Sequence, residues 1–200
     1  MKKVLLAIAF IGTLCLQAYD ATDLKIALTE KECIGCDLRD ANLSKIDFSG
    51  GDFVGTDFSG ADLSGSIFFM SDLSESNLNN ANAEGTIFWK ATMSGSELTH
   101  LHAKGANFKG TRLDQANLRF ADLRETKSWK ANFSDAILQE TNFENAELGD
   151  AKFIRTNLTT AKLAGTILWK TYFKDAKMTQ MQYEYAKQEE ALFDSNVTHP

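Results

Sequence analysis

The sequence predicts an all-β solenoid, on three observations. From Cys36 to Gln180 the pattern repeats every five residues without insertion or deletion. Taking the centre of each unit as position i, 26 of 29 centres from Leu38 to Met178 are Leu, Phe or Met; Ala83, Ala103 and Ser128 are the exceptions. Two residues earlier, at i−2, a small residue (Ala, Ser, Thr, Gly or Cys) stands in 27 of 29 units, with Ile46 and Leu101 the exceptions. Such a period fits neither the 3.6 of a helix nor the 2.0 of a flat strand. It keeps i and i−2 on one side of the chain and leaves i−1, i+1 and i+2, mostly Asp, Asn, Ser, Glu, Lys or Gly, on the other. A chain that turns once per unit needs a corner. Glycines such as Gly50, Gly65, Gly95 and Gly165 recur at i+2, where a corner can demand positive φ. The only proline is Pro200, in keeping with a β-ladder that uses every backbone N–H.

The elements follow in chain order. Residues 1–18 have the three parts of a secretory signal: basic Met1-Lys2-Lys3, an apolar run of about 13 residues from Val4 to Leu16, and a cleavage site after Ala18. That run is short of the roughly 20 residues that span a bilayer. Cleavage leaves 19 basic and 27 acidic residues, a net charge of −8, and a mature chain without a transmembrane span. Periplasmic or secreted localisation is therefore expected. A net negative charge disfavours a nucleic-acid partner, because phosphate neutralisation needs surplus Lys and Arg.

Residues 19–35 read as an N-terminal cap containing Cys33-Ile34-Gly35-Cys36 across its end. A structural disulfide between Cys33 and Cys36 is the expectation for an exported chain with two cysteines left. Two reduced thiols packed in the first coil, or a redox-active pair, are the other readings. Haem attachment would need His where Asp37 stands, and metal binding lacks a second ligand pair.

Residues 36–180 are the repeat. Ala41-Asn42-Leu43-Ser44, Ala61-Asp62-Leu63-Ser64-Gly65, Ala116-Asn117-Leu118-Arg119 and Ala121-Asp122-Leu123-Arg124 resemble the A-(D/N)-L-x-x motif of the pentapeptide-repeat family, over about 145 of the 200 residues. The resemblance implies a right-handed quadrilateral β-helix with four units per coil and i and i−2 inside. About seven coils would make a rod roughly 35 Å long, at ~4.8 Å per stacked strand. Leu101 beside Ala103 reads as a volume swap that conserves packing. Ser128 has no such partner. In residues 181–200 a capping box at Thr179 and Gln182 opens a helix of about 12 residues, with Met178, Met181, Tyr185 and Leu192 on one face.

Function must lie outside, because the interior is filled. With 20 residues per coil, Phe69, Trp89, Trp129 and Trp169 share one face at i+1, and Ile67, Ile87 and Ile167 flank them at i−1. An apolar column in solvent marks an interaction site. An unknown protein partner or self-association, as in a homodimer, is expected there. Other readings are cover by the chain's own N-terminal segment, a relic of two-coil duplication, or a ladder for sugar rings flanked by Lys90, Lys130 and Lys170. The first coils are acidic, with nine acidic and two basic residues from Cys36 to Gly85 against ten and fourteen from Thr86 to Met178. His100 and His102 lack further ligands, so neither a metal nor another cofactor is expected. No nucleophile–base set or phosphate-binding loop is present. The expected function is thus a non-catalytic scaffold exported from the cytoplasm. The alternative implied by the resemblance is a DNA-mimicking, gyrase-binding protein, a role of some cytoplasmic members; a third class is a glycan or small-molecule binder.

Overall fold

In the computed structural model, which describes residues 18–198, the chain winds as a right-handed quadrilateral β-helix. Parallel bridges join residues 20 apart along four walls, for example Asp57↔Asn77, Asn82↔His102, Ile67↔Ile87 and Asp72↔Thr92. A regular five-residue unit makes four backbone bonds. Around Leu63, its N–H donates to Asn82 O (2.7 Å), Gly65 N–H to Glu84 O (2.9 Å), and Asp62 N–H to Ala41 O (3.0 Å). The fourth closes the corner, Ser66 N–H to Leu63 O at 3.0 Å.

Every centre from Leu38 to Met178 is buried, and so is every i−2 residue except half-buried Ile46. Leu101 and Ala103 are both fully enclosed. Phe48, Phe68, Phe88 and Phe108 stack up one wall at centroid distances of 5.0, 5.5 and 5.0 Å. Ser128 ends that stack, and its hydroxyl is satisfied by Thr126 Oγ1 at 3.1 Å. A second stack, Phe133, Phe153, Phe173 and Phe193, then continues on the adjacent wall. Buried Ser and Thr at i−2 return their hydroxyls to backbone carbonyls, as Ser66 does to Leu63 O (2.6 Å) and Thr111 to Phe88 O (2.6 Å). These bonds remove the desolvation penalty of the buried hydroxyl.

The corner residue at i+2 has positive φ in nearly every unit, whether Gly65 (64°), Lys90 (57°) or Phe120 (59°). Asp or Asn at i−1 supports the turn, since its carboxylate or amide oxygen accepts the i+1 N–H. Asp62 does so for Ser64 at 3.0 Å and Asp57 for Ser59 at 2.9 Å. That bond, more than solubility, accounts for the residue type at i−1.

Thr160 is the exception: it stands in a corner slot but does not take positive φ, as β-branching disfavours. The consequence is local. No bridge joins Ile137 to Asn157, and Glu140 N–H turns to Thr160 Oγ1 (3.1 Å) instead of the next coil's backbone. Thr156 Oγ1 beside it is the single buried side-chain polar atom without a partner among the described residues. A groove of about 520 Å³ opens there, lined by Arg119, Ile137, Gln139, Asn157 and Thr160 among others.

Both ends are capped. Helix α1 (Ala21–Glu30) starts at Asp20, whose carboxylate accepts Thr22 N–H (2.7 Å) and Asp23 N–H (3.1 Å). It buries Ala27 against the core, and Asp23 Oδ2 takes Asp37 N–H (2.8 Å), which has no earlier coil to bond. The ladder begins at Glu32, paired with Asp52, four residues before the expected boundary. Strands β1 (Lys152–Ile154) and β2 (Tyr172–Lys174) lie in the last coils. Helix α2 (Gln180–Gln188) carries the expected capping box but is nine residues long, not about 12. Met181 is 83% exposed rather than packed. Leu192 lies in strand β3 (Leu192–Phe193), which pairs with β2 as a partial further coil, and Thr198 pairs with Lys177. Side chains of α2 replace the missing strand. Gln182 Nε2 donates to Leu158 O (2.7 Å) and Ala161 O (2.9 Å), and the Tyr185 hydroxyl to Thr166 O (2.7 Å).

Candidate functional site: the tryptophan wall

One wall is built on the bridged residues Asp47, Ile67, Ile87, Asn107, Lys127, Glu147 and Ile167. The unit geometry sends i+1 outward just before the corner, so Phe69, Trp89, Trp129 and Trp169 follow one another along its edge. All seven residues of the predicted patch lie on this wall. They form two clusters rather than one column. Phe69 and Trp89 touch at a centroid distance of 4.9 Å with planes at 43°, and Trp129 and Trp169 at 6.2 Å with planes at 55°. Lys109 stands between the pairs.

Trp129 reaches Trp169 across an entire coil because Gly149 lies between them. A Cβ at Gly149 would fall 2.1 Å from Trp129 Cζ3, so only glycine lets the indole lie down over that rung. The indole Nε1–H donates to Glu147 Oε2 at 2.8 Å. Trp129, Phe69, Ile67 and Ile87 are half-buried. Trp89, Trp169, Ile167 and the neighbouring corner residue Met70 are exposed, by 38, 40, 43 and 59%. Met70 was not singled out from the sequence; its i+2 slot beside Phe69 is the signal that would have found it. The other exposed apolar side chains, such as Ile34, Ile137 and Met181, are scattered.

Cations frame the indoles. Lys170 Nζ sits 4.1 Å from the Trp169 centroid and Lys90 Nζ 5.4 Å from that of Trp89, within cation–π range. Among the described residues, none of Lys90, Lys109, Lys127, Lys130 and Lys170 forms an ion pair; of the seven ion pairs found, only Lys31 with Asp47 (3.7 Å) touches this wall, at its first rung. The described N-terminal segment does not cover this wall, since α1 sits over the first coil.

The remaining sequence-level candidates lie apart. Cys33 and Cys36 bring their sulfurs to 2.10 Å at the entrance of the first coil, with Cα atoms 5.4 Å apart. His100 stacks on Phe120 at a corner (4.9 Å, 9°), and His102 is bridged to Asn82 and Asp122. No group of three or more His, Cys, Asp or Glu able to hold a metal occurs among the described residues. The proposed signal, residues 1–18, falls almost wholly outside them, and among them no helix is long and apolar enough to cross a membrane. One carboxylate perturbation of the repeat is structural. The Arg124 guanidinium grips Asp122 through Nε (2.8 Å) and Nη2 (2.6 Å) and holds its carboxyl below the usual carboxylate range, against some burial.

Comparison with known proteins gives one family: the family description "Pentapeptide repeats" matches in eight copies, over residues 32–68 and 71–180. No curated protein matches the sequence. Similar solved structures include trypsin-treated QnrB1, described as a plasmid-mediated fluoroquinolone resistance protein. It is 20% identical, with 80% of this chain and 88% of that chain covered and a TM-score of 0.41. Rfr23 from the cyanobacterium Cyanothece 51142 is 18% identical, with 90 and 98% covered and a TM-score of 0.36. HetL from Nostoc sp. strain PCC 7120, described as involved in heterocyst differentiation regulation, is 18% identical, with 83 and 84% covered and a TM-score of 0.29.

Proposed function

For this chain, which belongs to the pentapeptide-repeat family, we propose an exported, non-catalytic interaction scaffold that engages its partner through the tryptophan wall. The family is generally one of structural or interaction proteins rather than enzymes. The observation that carries the reading is the concentration of Trp89, Trp169, Ile167 and Met70, all exposed, on one wall of a rod whose outward positions are otherwise mostly polar. Apolar area of this kind is retained where something covers it. Export rests on residues 1–18, and a disulfide between Cys33 and Cys36, whose sulfurs lie at bonding distance, would go with that location. A photo-crosslinking residue at Lys109, between the aromatic pairs, tests the wall. Adducts are expected there and not from Asn77 on the opposite wall; equal labelling from both positions would refute it. Fractionation tests export: the mature chain should begin near Tyr19.

A DNA-mimicking, gyrase-binding role is the second reading, favoured by the acidic first coils, with nine acidic residues against two basic ones from Cys36 to Gly85. A supercoiling assay decides it. Inhibition or protection of gyrase by the purified chain, together with a cytoplasmic, unprocessed product, would replace the exported reading.

A further inference from the structure

The chemistry of the tryptophan wall identifies the kind of partner. We infer that the wall docks the rod lengthwise on an anionic lipid surface; this rests on the wall being the interaction face. Three observations carry it.

The first is charge. The processed chain is acidic overall, yet this wall and its following corner hold Lys90, Lys109, Lys127, Lys130 and Lys170 against Asp47, Glu147, Asp150 and, at the cap end of the corner, Glu190. None of the five ammonium groups is neutralised by an ion pair among the described residues. The opposite wall carries Asp57, Asn77, Glu97 and Asn117 in its middle coils. Walls of stacked strands stand about 10 Å apart, close to one Debye length at physiological salt, so the acid behind is screened from whatever meets the lysines. A second copy placed wall to wall would set lysine against lysine, which disfavours self-association.

The second is the apolar chemistry. Ile67, Met70, Ile87 and Ile167 accompany the indoles, and aliphatic side chains gain by entering hydrocarbon rather than by meeting hydroxyls. Sugar rings stack on indoles that present free, parallel faces. Here Trp129 leans on Trp169 at 55° and Phe69 on Trp89 at 43°, while Lys90 and Lys170 lie over the Trp89 and Trp169 rings. Trp and Lys together are the side chains that settle at a headgroup boundary.

The third is shape. From Asp47 to Ile167 the wall is a continuous run of parallel rungs, about 29 Å long at ~4.8 Å per rung. It offers a straight face to a flat surface, and each lysine near anionic headgroups adds attraction that salt screens.

Co-sedimentation of the processed chain with vesicles tests this, using phosphatidylcholine alone and phosphatidylcholine mixed with phosphatidylglycerol. Binding to the anionic vesicles is expected, roughly tenfold or more weaker to the neutral ones, declining with salt, and with a blue shift in tryptophan emission. Trp89→Ala with Trp169→Ala, and separately Lys109→Glu with Lys127→Glu, should each reduce binding by about tenfold or more with unchanged far-UV circular dichroism. Asp57→Asn with Glu97→Gln on the opposite wall should leave it intact. Absence of vesicle binding, or equal binding to neutral and anionic vesicles, overturns the lipid partner while the crosslinking at Lys109 still reports on the wall as an interface. A dimer that dissociates in the tryptophan variant would show a second copy as the occupant and likewise overturn it. Vesicle binding that ignores the wall variants but fails in the opposite-wall variant overturns both this inference and the wall reading.

Discussion

At the scale of single residues, Gly149 is the position where sequence and surface geometry meet most tightly. It takes an outward slot that holds an aromatic ring on other coils of the same wall, and its missing Cβ is what lets Trp129 lie against the rod. Gly149→Ala should lift the indole, break its bond to Glu147 and cost about 1 kcal/mol. In a background with Trp89 and Trp169 replaced by Phe, the emission of Trp129 should shift to the red; an unmoved spectrum and an unmoved urea midpoint would refute the account. Asp122 makes a pH prediction. Its folded carboxyl titrates below its unfolded value because Arg124 bonds the charged form. The stabilisation is therefore present above the unfolded value and lost as pH falls through the lower, folded one. Arg124→Ala should raise the carboxyl toward its ordinary value in an NMR titration, while neutral-pH stability changes by ~1 kcal/mol or less, since the pair is partly exposed. Neither glycine nor ion pair was singled out from the sequence. An i+1 glycine amid aromatic i+1 residues was the visible signal for the first, and nothing in the repeat pattern marks the second.

At the scale of elements, the five-residue unit was legible because burial and corner recur at fixed offsets. The corner's positive φ could be read where Gly stands, but not where Lys90 or Phe120 adopts the same conformation at an energetic cost of order 1–2 kcal/mol. Helix α1 was missed although Asp20 precedes a helix-permissive run; 10 residues of mixed polarity show little helical period, and the end of the rod supplies the surface that fixes them. Leu192 was placed with the helix by spacing alone, whereas the ladder recruits it into β3. The break at Thr160 is the most consequential local departure. Thr160→Asn, which tolerates a left-handed corner, should restore the rungs between 136–140 and 157–159 and stabilise by about 1 kcal/mol or more. Hydrogen exchange at the Leu138 and Asn157 amides should slow; unchanged exchange would mean that the corner does not hold the wall open.

At the scale of the whole molecule, the rod is a stack whose inner coils are satisfied by neighbours and whose outer coils depend on caps. Removing residues 180–198 would uncover Leu163 and Phe173 and free a row of ladder carbonyls that Gln182 and Tyr185 now occupy. Light scattering should then show concentration-dependent end-to-end association; a truncated chain that stays monomeric at high concentration would assign the cap a lesser role. The twenty-residue register between bridged partners has one more consequence, for how such a chain tolerates change in length. Loss or gain of a whole turn would leave the aromatic stripe in phase and alter only its reach. An indel of a single unit would preserve the interior yet rotate everything downstream by ninety degrees, splitting Trp89 from Trp129 and Trp169. Length variation of this chain is therefore quantised, with folding satisfied by multiples of five and alignment of the tryptophans only by multiples of twenty.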